Sequence, residues 1–472
     1  MKNILFTCLA ILVLTTAIGQ SKVEWGSKFD IDTKSEQDMQ LVMKDNYNYY
    51  LASVVNKDGM VAQNQVIIRK FDQKNQLVNT FTQNFPQADM FTLHFYKGSY
   101  EIAGDKFVVF AHSYSNKTKK AQLDKIVFDK KSGTFTTTTL FEYPILSASK
   151  SGDLFVMRSE NSKYIGIVFQ KYSTKKEPEE SDCIVLDGTT LNEVWKKTIS
   201  FPAETNTNQR VLTNSGRFAF IRTVKEVGYN NVLAMVDTNG IENKDFGAAI
   251  KLQKPIAISI GTQDYLIAFN YPAKGIRRGD FGYLMLYDIQ LGKLLQNNDI
   301  DGFNSIKDIN EVVFRNVSVQ NNEIQLFADC KFQGGTKPDP TFPNSSFTVP
   351  VYHFGHSCII TLEMDGKFKK KIDLGASETN AEYNDSFGLM NYHGDHYVNL
   401  GFNGGFFKLQ APNFNTRENK VYLNINSEFR DYQYGEYINQ FFTYFQDSSK
   451  MLFAKRYSDG KMIFVTYADI KL

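Results

Sequence analysis

Four of the six histidines stand in two short clusters, His353-Phe354-Gly355-His356 and His393-Gly394-Asp395-His396. Imidazoles form a metal site only when their free nitrogens converge on one point. The first pair lies near the start of an apolar run that reads as a strand. Residues three apart on a regular strand point to opposite faces. The second pair reads as part of a turn, so neither pair predicts a metal. Asp30-Ile31-Asp32 and Asp299-Ile300-Asp301-Gly302 hold two carboxylates each. Both lack the further, regularly spaced oxygen ligands of a calcium loop and read as turn acids. Arg277-Arg278 could grip a carboxylate or phosphate in bidentate fashion, or stand as a solvated loop pair. There is no Gly-x-Ser-x-Gly elbow, phosphate-binding glycine loop or dinucleotide fingerprint. No catalytic residue and no cofactor is therefore assigned.

The elements that would position such residues repeat along the chain. Asp280 to Gly292 reads as a short apolar strand, then Asp288, then a turn closed by Gly292. The same mark, an apolar run ending in an acid or amide before a turn, recurs at Asp72, Asp129, Asp187, Asp237, Glu363, Asn426 and Asp469. Asp at the first position of a turn accepts a hydrogen bond from the backbone two residues on, and Gly supplies positive φ. A mark that recurs every few tens of residues indicates repeated units that bury their faces against one another. Each unit reads as four strands, A to D. In the unit of the opening example these are Pro255–Ile260, Asp264–Asn270, Tyr283–Asp288 and Lys293–Asn298. In unit seven, His396–Leu400 reads as B and Val421–Ile425 as C. No long amphipathic helix is expected.

Residues 1–19 read as a secretory signal peptide. Lys2 makes a basic start, Ile4 to Leu14 is almost wholly apolar, and Ala17 and Gly19 precede the expected cleavage. Cys8 falls too early in the apolar run to be a lipid-attachment cysteine. Residues 20–472 read as one domain. The formal charge of +2 arises from interleaved acids and bases, so no nucleic-acid partner is expected. No second apolar run approaches the length of a membrane span.

After Asp469 too few residues remain for a D strand, while Val23 to Asp32 precedes the first unit without a partner. This pairing of a spare and a missing strand resembles the β-propeller families, particularly exported bacterial propellers. The chain lacks the Gly-His and Trp-Asp signature of WD repeats and the kelch Gly-Gly series. The resemblance implies an all-β fold, a single β-propeller of about eight four-stranded blades, with seven as the second count. The N-terminal strand would join the C-terminal blade at Met462 to Ala468 and close the ring.

B–C connections carry the insertions. The main ones are Pro272–Asp280 in unit five, Phe332–Phe354 in unit six and Asn403–Asn419 in unit seven. In a four-stranded antiparallel blade these connections leave on one face, and long loops on a rigid scaffold tend to carry function. Phe332, Phe342, Phe347, Phe406, Phe407 and Phe414, with Arg277 and Arg278, are the expected partner contacts. The favoured reading is a non-catalytic periplasmic interaction protein. Its partner would be an envelope protein, for instance in an outer-membrane complex or translocon. The alternative is a propeller that binds or hydrolyses glycans or peptides at its central channel. Cys330 and Cys358 stand near the base of the unit-six loop, where a disulfide would staple it. Cys183 reads as a buried free thiol. The His393–His396 turn, on the opposite face, is expected to tolerate change.

Overall fold

The computed structural model describes residues 23–468 apart from 33–35, 45–46, 56–64, 87–91, 103–104, 148–149, 175, 204, 225–229, 273–282, 301–308, 321, 339–347, 376–378, 381–386, 393–394, 400–404, 410–420, 423–435 and 445–449. The architecture is all-β, a propeller built from antiparallel meanders. Unit one is Glu36–Val42, Asn48–Val55, Gln65–Asp72 and Leu77–Asn84. Unit two is Thr92–Ile102, Lys106–Ser115, Lys120–Asp129 and Thr134–Pro144, and unit three is Asp153–Arg158, Tyr164–Gln170, Glu179–Asp187 and Glu193–Phe201.

By hydrogen bonding the ring holds seven sheets among the described residues, the second of the two expected counts rather than eight. The difference has one source. Strand D of unit four runs without a break into strand A of unit five, as the 21-residue strand Gly240–Ile260. Its first half pairs with Asn230–Asp237 and its second half with Gln263–Pro272, so the two units share one seven-stranded sheet. The other three strands of unit four are Thr205–Leu212, Phe218–Val224 and Asn230–Asp237. Unit five continues with Gln263–Pro272, Tyr283–Asp288 and Lys293–Asn298.

The ring closes where expected. Val23–Trp25 pairs with the last strand, Lys461–Ala468, in the register Val23↔Tyr467 to Trp25↔Val465. Phe29–Asp30 then pairs with Met462 and Lys461. The closing blade is completed by Lys450–Arg456 and by two short pieces, Glu436–Tyr437 and Thr443–Tyr444, on either side of a 3₁₀ turn. Phe464 sits in the seam with unit one. Its ring meets Tyr49 at 5.0 Å and Phe71 at 4.8 Å, both edge-on, and stacks on Phe29 at 5.7 Å.

Apolar clusters fill the seams between consecutive units. Tyr50, Ile68, Phe107 and Phe128 join units one and two, and Ile267, Leu286, Leu326 and Ile360 join five and six. Strands B and C are sandwiched between neighbouring blades, which explains their unbroken apolar runs, such as buried Tyr49–Val55. The D strands of units one and two are mostly exposed and so lie at the outer edge. Successive A strands touch one another from unit two to unit six and form the inner edge.

The turn acids behave as their chemistry dictates. Asp72, Asp129, Asp187 and Asp237 each accept from the backbone NH two residues on, at 2.8–3.0 Å. In unit six the acid doing this is Asp365, bonded to Lys367 N at 2.9 Å, rather than Glu363. Gly188 has a different task from the turn glycines. Leu191 takes the left-handed position there (φ 60°), and a Cβ on Gly188 would meet Ser162 O at 2.2 Å.

Candidate functional site

The unit-six insertion is mostly not a loop. Strands B (Glu323–Pro338) and C (Thr348–Glu363) are flanked as far as Phe332↔His353 by Ile309 of strand A and by the short strand Thr379–Asn380, and run on from Gln333↔Tyr352 out to Pro338↔Thr348 as a two-stranded arm. The run Gln333–Thr336 is exposed. One strand of the arm is β-prone, with Thr348, Val349, Val351 and Tyr352, and on the other Gly334 lets the strands cross closely. A Cβ on Gly334 would lie 2.1 Å from the His353 ring. Phe332 is half-buried at the base of the arm, opposite His353, whose ring it stacks on at 5.9 Å.

His356 also approaches Phe332, at 6.3 Å between ring centroids. The expectation that His353 and His356 face opposite sides fails for a local reason. His356 has a left-handed backbone (φ 51°), and the ladder slips between Ala328↔Cys358 and Cys330↔Gly355. A bulge of this kind re-aims a side chain relative to the regular alternation.

The same slip bears on the cysteines. Cys330 and Cys358 are both fully buried free thiols, so the expected disulfide is absent. They are not cross-strand partners, since Cys330 faces Gly355 and Cys358 faces Ala328. Both sit within the apolar seam between units five and six. Burial pushes the Cys330 thiol up to about 12 and the Cys358 thiol well above its ordinary value. Cys183 is a buried free thiol, as expected.

Unit seven departs most from expectation. Phe406 and Phe407 are not loop residues: they lie in strand C, Gly405–Leu409, paired with Asn399 and Val398 of strand B. Val421–Tyr422 is strand D, paired with Gly405 and Phe406, rather than strand C. Residues 410–420 thus fall between strands C and D in the sequence, and they lie outside the described residues. His396 is buried in strand B (Asp395–Asn399), edge-on to Phe327 at 5.1 Å, so it is no tolerant turn residue. Phe342, Phe347, Phe414, Arg277, Arg278 and His393 lie outside the described residues.

A second set of groups gathers on the inner A strands of units two to four, and sequence reasoning did not single it out. The A–B ladders slip in units one, two, four, five and six. The residues skipped include Lys97 in unit two and Arg315 in unit six. Arg315 turns to the fully buried Asp329, at 3.0 Å. Lys97 makes no ion pair among the described residues, and its ammonium lies 5.8 Å from the centroid of Phe95.

Phe95 is 38% exposed and stacks on Tyr114 at 5.4 Å. Behind them His112 bonds through Nε2 to the Tyr143 hydroxyl at 2.6 Å. Burial, with the charge of Lys97, pulls His112 down to about 4, so it is neutral at neutral pH. Asp153, at the start of strand A in unit three, acts electrostatically on Lys97, Tyr143 and Arg210. Arg210, on strand A of unit four, lays its guanidinium 3.9 Å from the Phe155 centroid and donates to Gln170 Oε1. The sequence holds no local sign of this set, because a bulge is defined by the partner strand's register. Among the described residues no group of three or more metal-ligating side chains occurs.

No family model matches the chain, and no curated protein matches it. Among solved structures it is similar to the Pyrococcus horikoshii acylaminoacyl peptidase, with 10% identity and a TM-score of 0.38, over 92% of this chain and 59% of that one. A cobalt-substituted apocarotenoid oxygenase of Synechocystis matches with 12% identity and a TM-score of 0.32, over 53% of this chain and 58% of that one. The chain thus spans less than two thirds of the length of either, and neither activity is carried over to it.

Proposed function

We propose that the chain is an exported, non-catalytic binding protein that docks an envelope partner through the unit-six arm. The arm itself carries this reading. A strand pair that continues past its sheet, with Gln333–Thr336 exposed, adds little to the fold's own core. Exposed strand pairs suit recognition by a partner chain, because main-chain and side-chain groups are offered together. Phe332, clasped by His353 and His356 at the base, is the anchor among the described residues, and Phe342 and Phe347 remain candidates farther along. Residues 1–19 would direct export. The periplasm is the proposed location, and a subunit of an outer-membrane complex or translocon the proposed role.

The test is to replace residues 333–352 with a two-residue turn and to compare co-purification from detergent-solubilised envelopes. Loss of a specific partner, with an unchanged melting temperature, is the expected result. Retention of every partner by the shortened protein would overturn the reading.

A further inference from the structure

We infer that the outer edge of unit two, the strand Thr134–Pro144, is the surface by which two copies of this chain pair, edge to edge and antiparallel. The strand is the last of its sheet and pairs only with Lys120–Asp129 among the described residues. Along such an edge every second residue turns its NH and C=O outward, ready to bond another strand. From Thr134↔Asp129 to Thr139↔Asp124 the ladder is regular, and the bulge at Leu140 comes only after that stretch. Thr134 and Thr136–Thr139 are exposed. Threonine and phenylalanine, the two residue types of this stretch, both favour the extended strand.

Exposed strand edges are ordinarily blunted, above all by lysine, because an unguarded one invites a second chain. The D strands of units three to six obey this. Glu193–Phe201 carries Glu193, Lys196 and Lys197, Lys293–Asn298 begins on Lys293, and Phe368–Asp373 holds Lys369, Lys370 and Lys371. The D half of Gly240–Ile260 bears Glu242, Lys244 and Asp245. Leu77–Asn84 of unit one is uncharged, but its own amides cover part of it. Asn79 Oδ1 accepts from Thr80 N at 2.8 Å, and Gln83 Nε2 donates to Asn84 O at 2.9 Å. Thr134–Thr139 has neither guard. It holds no charged residue, and among the described residues no side chain bonds to its backbone.

Charge complementarity selects a second copy as the occupant. The uncharged stretch is flanked by a base and an acid: Lys131 in the turn before it, and Glu142 after the bulge. Their side chains are 78% and 46% exposed. Lys131 Nζ meets Asp105 at 2.8 Å and keeps donors to spare. Glu142 meets Lys120 through Oε2 at 3.1 Å, and its Oε1 has no hydrogen bond among the described residues. With Thr137 at a two-fold axis, antiparallel pairing brings Lys131 of each copy within reach of Glu142 of the other, because Thr137 lies six residues from the first and five from the second. A parallel arrangement would set like charges side by side. The two-fold contact is isologous, so the assembly closes at two copies. An edge contact is narrow, and one below the roughly 1,200 Å² of a standard interface is weak, so the dimer should come apart on dilution.

The experiment is analytical ultracentrifugation of the purified protein, from roughly 200 down to 1 µM, the range over which a weak dimer dissociates. A monomer–dimer equilibrium is expected. Thr136→Lys combined with Thr138→Lys sets lysines opposite one another on both sides of the axis, and should raise the dissociation constant at least about tenfold. Lys131→Glu and Glu142→Lys should each weaken the dimer, and the two together should restore it toward the parent. Melting temperatures check that the variants remain folded. If the double-lysine protein is destabilised, the charge-reversal set decides alone, because Lys131 and Glu142 lie off the regular ladder. A chain that is monomeric at every concentration would overturn the second copy as occupant. A dimer undiminished in the folded double-lysine protein, or a paired reversal no better than the single ones, would overturn the proposed edge. The dimer should survive replacement of residues 333–352, which separates this surface from the proposed docking function. A dimer lost with the arm would place the contact there instead.

Discussion

The side-chain amide of Asn75 donates to the main-chain carbonyl of Glu24 at 3.1 Å. Asn75 is fully buried in the C–D turn of unit one, and Glu24 lies on the strand that closes the ring. The same amide reaches Thr466 Oγ1 at 3.3 Å, and its oxygen accepts from the Tyr49 hydroxyl at 2.9 Å. One turn residue thus binds the first strand, the last strand and unit one together. Its left-handed backbone (φ 59°) explains why an amide rather than a β-branched residue stands there.

Replacing Asn75 with Ala should therefore weaken closure as well as the turn. Removing the amide leaves the buried Tyr49 hydroxyl and Glu24 carbonyl without this partner, a loss of about 1–3 kcal/mol. A urea titration should show a lower midpoint with an unchanged slope. Gly26→Ala should act in the same direction, because a Cβ there would meet Asn75 O at 2.2 Å. Deleting residues 20–32 should go further and promote aggregation by exposing the strand edge beside Phe464. A truncated protein of unchanged stability and solubility would refute the role of the closing strand.

Glu179 and Arg222 form a buried pair across the seam between units three and four, with Arg222 Nη1 donating to Glu179 Oε1 at 3.2 Å. Thr207 N donates to the other carboxylate oxygen at 3.1 Å. Glu179→Ala leaves the guanidinium buried without its counter-charge, so a loss of about 3–5 kcal/mol is expected. Thermal or urea unfolding measures it. A change below about 1 kcal/mol, the range of an exposed pair, would show that water reaches the pair.

His112 supplies a pH dependence. Its folded value, about 4, lies below the ordinary 6.5 through burial and the nearby charge of Lys97. The unfolded chain therefore binds more protons between those values. The contribution is fully present above pH 6.5 and is lost as pH falls through 4. In His112→Gln protein, stability should fall less steeply between pH 6.5 and 4 than in the parent. Equal slopes would show that His112 is not held neutral in the fold.

The three thiols should resist alkylation in the native protein. Cys183, Cys330 and Cys358 are fully buried, and burial disfavours each thiolate, the reactive form. Mass spectrometry after iodoacetamide should find them unmodified until denaturant is added. Rapid labelling of Cys330 under native conditions would mean that the seam at the base of the arm opens.

Shortening the arm should separate binding from stability. If Phe332 is an anchor, Phe332→Ala should cost about 2 kcal/mol or more of partner binding. Affinity capture with the two proteins side by side measures it. A partner held equally well by the Phe332→Ala protein would place the anchor elsewhere.

Much of the architecture could be read from residues because its causes are local. An aspartate starting a turn, as at Asp187, needs only its own next two amides. Buried runs such as Tyr49–Val55 announce central strands, and the spare segment at Val23 predicted the closing pair. Tertiary pairing decided the rest. Whether Gly240–Ile260 is one strand or two depends on both of its neighbours. Whether Phe406 belongs to a loop or a ladder depends on Asn399 lying beside it. The thiols of Cys330 and Cys358 miss each other, and Lys97 turns out of its strand, because a ladder slips by a residue against its partner. Register is a relation between two strands, set by packing between whole sheets, so no single stretch of chain contains it.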